Sequence, residues 1–268
     1  MTALGLAAAD RRPHSLLTPV RDTLAVTRRN LTALFRVPQL LVFTLIQPVI
    51  FVLLFRFVFG GAITIPGGIP YVDYLMPGIF VQTAVFGSMV TAIGMAADIK
   101  SGIIERFRSL PMSPSAVLAG RTIADLARNV LVVAIMAVVG FIVGFRIHTN
   151  YLLFFCGLLL VLAFGYTLSW TFALIGMAVK DPETAQAAAF PIIAPLVFAS
   201  SVFVPVSSMP TWLQGFATHQ PVSVTASAVR ALMIGGPTTS LVLQCLGWMV
   251  LIIAICAPWS VHLYRKAV

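Results

Sequence analysis

The sequence predicts an all-α integral membrane protein of six transmembrane helices. An amphipathic interfacial helix precedes them, and a short cytoplasmic helix and an outer pair of re-entrant helices interrupt them. Two observations carry this expectation. Of the 268 residues, 59% are hydrophobic and only 9% charged, whereas soluble domains carry roughly 25% charge. The apolar residues are also gathered into runs of about 20, the length that one bilayer crossing requires. A chain so poor in polar groups cannot cover a water-facing surface, so lipid must be its solvent. Crossings and connections use most of the length and leave no room for a soluble catalytic domain.

Taken in order, residues 1–14 are small, polar and basic, with Arg11, Arg12 and Pro13. They lack the apolar core and cleavage site of a signal peptide and are expected to form a cytoplasmic tail. In residues 15–36, Leu24, Val26, Leu31, Leu34 and Phe35 can share one helical side, with Arg21, Asp22, Arg28, Arg29 and Asn30 largely opposite. That pattern suits a helix lying in the headgroup layer; the alternative is the solvated start of the first span. Residues 1–37 thus form a tail and interfacial helix, and 38–268 the transmembrane unit. The predicted spans are 38–59, 74–97, 115–145, 151–178, 185–204 and 239–262. Ser113-Pro114 and Asp181-Pro182 place a capping residue before a proline at a helix start, and Asp73 could cap the second span likewise. The Gly- and Pro-rich stretch Gly60–Pro70 is a loop.

Charge distribution sets the expected orientation. Thirteen basic residues fall in segments that would be cytoplasmic: Arg11, Arg12, Arg21, Arg28, Arg29, Arg36, Lys100, Arg106, Arg108, Arg121, Lys180, Arg265 and Lys266. Arg56, Arg146 and Arg230 would be outside, and Arg128 lies within the third span. This positive-inside bias places both termini in the cytoplasm. The net charge of +9 is spent there and forms no continuous basic face with interleaved aromatics, so nucleic acid is not an expected partner. Cys156, Cys245 and Cys256 sit in apolar runs without metal-ligand spacing and read as small hydrophobes.

Polar residues inside spans are costly and therefore informative. They are Gln47, Arg56, Gln82, Asp125, Arg128 and Gln186. Asp125 and Arg128 stand three apart and can pair on one helix, as a local structural pair or as part of a relay of motion along the third span. Arg56 is near enough to a span end to snorkel. There is no HExxH and no facing pair of intramembrane acids, which removes the usual membrane-protease chemistries. Gly140 and Gly144 form a GxxxG, suited to packing within the chain or at a subunit interface.

Two further segments are distinctive. In residues 98–114, Ile103, Ile104, Phe107 and Leu110 make one apolar side of a short helix ended by Pro111, with Lys100, Glu105, Arg106 and Arg108 supplying charge. Such a helix can lie on lipid or dock into a soluble partner's groove. Residues 205–238 are too apolar for a plain loop and too polar for a span, and Met209-Pro210 and Gln220-Pro221 divide them into two short helices. They could dip into the outer leaflet if protein satisfies their backbone groups, or lie on the surface with Trp212 as anchor.

Several stretches together resemble the permeases of type 2 ABC exporters, closest to the daunorubicin-resistance type of actinobacteria. They are Tyr74-Leu75-Met76-Pro77-Gly78; then Gly102, Glu105, Arg106, Leu110, Pro111, Gly120 and Arg121; then Val202 through Pro210, Trp212-Leu213, Gln220-Pro221-Val222 and Arg230-Ala231-Leu232. The resemblance implies six helices, a pair of permeases (homodimer or sister subunits), and a cytoplasmic ABC ATP-binding protein under each half. It implies that 98–110 is the coupling helix, with Lys100, Glu105, Arg106 and Arg108 meeting that ATPase. Arg28, Arg29 and Arg36 would belong to the interfacial helix against membrane lipid. Residues 205–238 would be the re-entrant outer gate, with Pro205, Pro210, Trp212 and Phe216. No GxxxxGK[ST] occurs. The chain is therefore expected to bind no cofactor itself, leaving ATP and Mg to the partner, and to be a transport subunit of the cell membrane, not an enzyme. The few intramembrane charges and 19 phenylalanines suit an apolar cavity for a drug or lipid. The competing class is an ion-coupled secondary transporter, which should show internal repeats and a midplane ion site.

Overall fold

The computed structural model describes residues 23, 24, 27, 28, 32, 38–65, 67–103 and 114–267. Most of the 1–37 tail and interfacial helix, including Arg29 and Arg36, lies outside the described residues, as do Glu105, Arg106 and Arg108 of the 98–110 helix.

Eight α-helices are present among the described residues. Helix α1 (Pro38–Leu53) runs on into a π-helical stretch, Leu54–Phe59. Then come α2 (Tyr71–Lys100), α3 (Pro114–Val143), α4 (Tyr151–Val179) and α5 (Pro182–Phe198). After a 3₁₀ turn at Val206–Ser208 follow the short α6 (Thr211–His219) and α7 (Pro221–Ile234), and finally α8 (Thr238–Ala267).

The expectation of six spanning helices is corrected. Among the described residues, four helices combine the length and hydropathy of a crossing: α2, α3 over Gly120–Val143, α4, and α8 over Thr238–Leu263. The other two fall short. Helix α1 has 16 residues with Pro48 inside, and beyond Leu53 its α-helical bonding gives way to a π-helical stretch holding Arg56. Helix α5 has 17 residues, with Pro191 and Pro195 inside, and stops at Phe198. The α-helix ends in α1 where bonding turns π-helical at Leu54 and in α5 where the backbone leaves the helix at Ala199, so an apolar run of crossing length yields a shorter α-helix. An internal proline alone does not do this, since α2 keeps 30 residues with Pro77 inside.

Helix α2 is the centre of the bundle. Leu75, Met76, Ile79, Phe80, Val81, Ala84 and Val85 are all inaccessible, and α3, α4, α5 and α7 pack around them. Small residues set the spacing. A Cβ on Gly176 of α4 would stand 2.3 Å from the Ala92 carbonyl oxygen of α2, and one on Gly78 would stand 2.2 Å from the Val202 carbonyl oxygen. These glycines let backbone touch backbone. Gly140 works likewise within the chain, since a Cβ there would meet the Met76 methyl at 2.6 Å; Gly144 ends α3 with a positive φ of 107°. Helix α8 packs on α4 and α7 but turns Leu243, Val250, Ile255 and Trp259 outward, as a helix bathed in lipid can.

Two predicted caps have different outcomes. Asp181 caps α5, accepting from the Thr184 N–H at 3.0 Å and the Thr184 hydroxyl at 2.9 Å. Asp73 does not cap α2, which begins at Tyr71 behind Pro70. It stands within the first turn and reaches across, accepting from the Arg146 N–H at 2.8 Å and meeting His148 Nε2 at 2.7 Å.

Candidate functional site

The bundle carries three polar clusters, one at each end and one in the middle. At the end bearing Lys100, two ion pairs tie α2 to its neighbours. Lys100 Nζ lies 2.6 Å from Asp181 Oδ1, joining the last residue of α2 to the cap of α5. The Lys100 ammonium, followed by the Thr184 bonds, holds the Asp181 carboxyl below the usual carboxylate range. A depressed folded-state value means this pairing is complete above the ordinary carboxylate range and is lost only as pH falls through the lowered value. Asp98 pairs with Arg121 of α3, and Gly94 makes the room, since a Cβ there would collide with the guanidinium. From the amphipathic stretch, buried Thr27 donates to the Gly120 carbonyl at 3.0 Å, while Arg28 beside it is exposed. Residues 104–113 therefore leave from a clamped α2 end, and the chain re-enters in an α3 whose second turn is clamped.

In the middle, the Asp125–Arg128 pair expected from their spacing forms, at 3.5 Å, with both side chains almost wholly buried. The Thr91 hydroxyl donates to Asp125 Oδ2 at 2.7 Å, and Arg128 Nη2 donates to the Gly87 carbonyl at 2.6 Å. The pair on α3 thus fastens onto α2, which spacing alone could not reveal. Asn129 closes the cluster, its amide oxygen 3.5 Å from Arg128 Nη2 and its side chain occupying the space that a Cβ on Gly87 would need. Charges in lipid persist when paired and bonded in this way.

At the opposite end, Arg230 of α7 is buried against an aromatic ring and backbone carbonyls. Its guanidinium lies 3.7 Å from the centre of the Tyr74 ring, and it donates to the Tyr74 carbonyl at 3.1 Å and the Ser201 carbonyl at 2.9 Å. The Tyr74 hydroxyl also donates to Ser201, and Tyr71 donates to the Phe203 carbonyl at 2.8 Å. The Ser201 N–H in turn donates to the Ser223 hydroxyl at 2.8 Å. Side chains from α2 and α7 thereby satisfy the non-helical backbone between α5 and α6, the condition for irregular chain at membrane depth. Arg230→Lys keeps the charge but loses the planar stack and the forked donors. It should lower stability by about 1–2 kcal/mol, read as a reduced midpoint in thermal unfolding of the purified protein; an unchanged midpoint would remove this role.

The predicted outer-gate residues all lie between α5 and the end of α6. Pro205 precedes the 3₁₀ turn and Pro210 precedes α6, while Trp212 and Phe216 stand on the exposed side of α6. The buried share of that segment belongs to α7, where Val222, Val229 and Met233 are inaccessible. Charge distribution alone counts Arg230 among the flanking charges; its setting in the apolar stretch Ala226–Ile234 is the sequence sign that it is interior. Among the described residues, no group of three or more His, Cys, Asp or Glu could hold a metal ion.

The model of the ABC-2 type transporter family matches residues 21–234. The daunorubicin resistance ABC transporter permease protein DrrB1 of Streptomyces coeruleorubidus is 33% identical over 97% of this chain and 91% of that protein. The probable doxorubicin resistance permease DrrC of Mycobacterium tuberculosis is 26% identical over 92% of this chain and 90% of its own length. A putative transport permease, ycf38 of Pyropia yezoensis, is 25% identical over 82% and 75% respectively. With its multi-pass helical bundle and no P-loop of its own, the chain belongs to the ABC-2 type transporter family, as a membrane permease subunit.

Proposed function

We propose that this permease is the membrane subunit of an ATP-driven exporter that moves a hydrophobic or amphipathic substrate, a drug or a lipid, out of the cytoplasm or inner leaflet. A separate cytoplasmic ABC ATP-binding protein supplies the power, with ATP and Mg bound there, and a second permease copy or sister chain completes the transport path. The observation that carries this reading is family membership over most of the chain, with relatives whose names attach them to daunorubicin and doxorubicin resistance.

In this reading the Lys100 end faces the cytoplasm of a cell membrane, with both termini on that side, as the basic residues favour. Segment 98–110, which leaves the last turn of α2 at Lys100, holds the coupling helix, and Glu105, Arg106 and Arg108 meet the ATPase beside Lys100. Arg28, Arg29 and Arg36 face lipid headgroups, and Pro205, Pro210, Trp212 and Phe216 belong to the outer gate. The clamps at Asp98–Arg121 and Lys100–Asp181 support this assignment, because a push on the segment between them would reach α2, α3 and α5 together.

Purification of the tagged chain from its native membrane in mild detergent tests it. A P-loop ATPase should co-purify at about one per permease, and Glu105→Arg should remove it, since reversing a charge in a docked interface costs several kcal/mol. Recovery of the chain alone, or with membrane proteins only, would overturn the docking assignment and favour ion-coupled transport.

A further inference from the structure

A groove of about 370 Å³, a volume typical of small-molecule sites, lies between α8 and the hairpin formed by α6 and α7. Gln244, Gly247, Trp248 and Leu251 line it from α8, at the spacing of one helical face, and His219 and Val224 line it from the hairpin. The hairpin reaches deep into the membrane. Helix α7 ends at Ile234 and α8 begins at Thr238, so the start of α7 lies well along α8, where the Thr225 hydroxyl meets Cys245 Sγ at 3.2 Å. Leu251 stands about 20 Å along α8 from Thr238, inside the apolar span Thr238–Leu263. His219 and Gln244 are therefore exposed polar side chains beside hydrocarbon. His219 Nδ1 lies 2.9 Å from the Gly215 carbonyl, which can only accept, so Nδ1 carries the proton and Nε2 of the neutral ring is an acceptor. Among the described residues, neither Nε2 nor the Gln244 carboxamide has a hydrogen-bond partner. Polar groups left unmatched in an apolar medium are costly. A Cβ on Gly247 would have nothing within 4 Å, so the backbone beside the Trp248 indole lies bare and leaves a slot on that face.

We propose that this groove is a binding site, entered from the lipid, for a flat, uncharged, hydroxyl-bearing molecule. Its ring system lies against Trp248 over the bare Gly247. Its hydroxyl donates to His219 Nε2, and the hydroxyl oxygen accepts from the Gln244 amide. Such a site needs only the α6–α8 corner of the bundle in a bilayer, and so does not depend on the exporter reading. Three features select this ligand. Leu243, Leu246 and Val250 are exposed on α8 around the groove, so what enters is dissolved in the membrane. A glycine next to an indole leaves room for a plane, and aromatic faces favour stacking. No charged side chain lines the groove, and the Arg230 guanidinium of α7 is turned to Tyr74 and Ser201. An ion of either sign would lose its solvation there without gaining a counter-charge, whereas a hydroxyl finds both an acceptor and a donor.

The test measures binding to the purified full-length chain in lipid nanodiscs at neutral pH, without ATPase, by equilibrium dialysis against empty nanodiscs. The probes are 2-naphthol and its methyl ether 2-methoxynaphthalene, which keeps the rings and the oxygen but cannot donate. Naphthol should bind saturably and about five- to tenfold more tightly than the ether, the difference made by one donated hydrogen bond. His219→Phe keeps a flat ring without the acceptor; it should bring naphthol down to the affinity of the ether and leave the ether unchanged. Gln244→Leu should weaken both probes alike. Gly247→Leu fills the slot and should abolish saturable binding of both, with the thermal midpoint close to that of the unaltered protein. Equal affinity of the two probes for the unaltered protein overturns the hydroxyl assignment, and that comparison needs no variant to fold. Saturable binding that survives Gly247→Leu puts the probe elsewhere and overturns the site. So does the absence of saturable binding to the unaltered protein, which would leave lipid chains as the occupant. None of these results bears on co-purification of an ATPase, so the exporter reading and this site fail separately.

Discussion

Arg128→Ala should unfold or nearly unfold the bundle. Asp125 would keep its bond from Thr91 but lose the guanidinium that balances its charge, in a setting where both side chains are almost wholly buried. Removing one partner of a buried ion pair costs about 3–5 kcal/mol, and a single domain has only about 5–15 kcal/mol to lose. The Gly87 carbonyl would also lose its bond from Arg128, loosening α2 from α3. Denaturant unfolding in detergent, followed by tryptophan fluorescence, gives the size of the effect. The double variant Asp125→Asn, Arg128→Met should recover most of the loss, because it removes the charge together with its partner. If Arg128→Ala unfolds at the denaturant concentration of the unaltered protein, the cluster does not hold α3 to α2.

Gly176→Val is expected to be comparably damaging for a purely steric reason. The added Cβ would fall 2.3 Å from the Ala92 carbonyl oxygen and 3.0 Å from its carbon. Both are backbone atoms of α2 and cannot swing aside as a side-chain tip would, so the two helices must separate along their shared face. Overpacking typically costs about 1–3 kcal/mol when side chains absorb it; with backbone on both sides the expected loss is at the top of that range or above it. Gly247 of α8 provides the contrast, having nothing within 4 Å of a new Cβ. Gly247→Ala should leave stability unchanged or raise it by up to about 1 kcal/mol through helix propensity. Equal behaviour of the two substitutions would show that the α2–α4 contact yields freely.

Hydropathy and charge alone located nearly all of the helical segments, because a bilayer demands long apolar runs and leaves them plain in a sequence of 59% hydrophobic residues. The number of crossings was less legible. Runs 38–59 and 185–204 have the composition of spans, but the first turns π-helical at Leu54 and the second leaves the helix after Phe198, and hydropathy takes no account of backbone bonding. Asp125 and Arg128 could be paired from their spacing of three, since that distance is local. Their attachment to Thr91 and Gly87, and the meeting of Arg230 with Tyr74, join residues far apart in the chain. Such contacts depend on how helices are arranged, which one sequence does not encode in any local pattern. The same holds for Gln82, whose polarity marked it while its unpaired acceptor could be seen only once its neighbours were placed.

Helix α5 is anchored at both extremities. Its cap Asp181 is bridged to Lys100, and at its far end the Gln220 amide donates to the Leu196 carbonyl at 2.8 Å while the following turn is bonded to Tyr74 and Arg230. Between the anchors, Pro191 and Pro195 each delete a rung of backbone bonding. A strut fixed at top and bottom and thinned in the middle cannot slide as a rigid piston when its base is displaced. It flexes at the thinned section, near Phe190 and Ile192, whose side chains are about half exposed. Stiffening α5 with Pro191→Ala would therefore be felt at both ends at once.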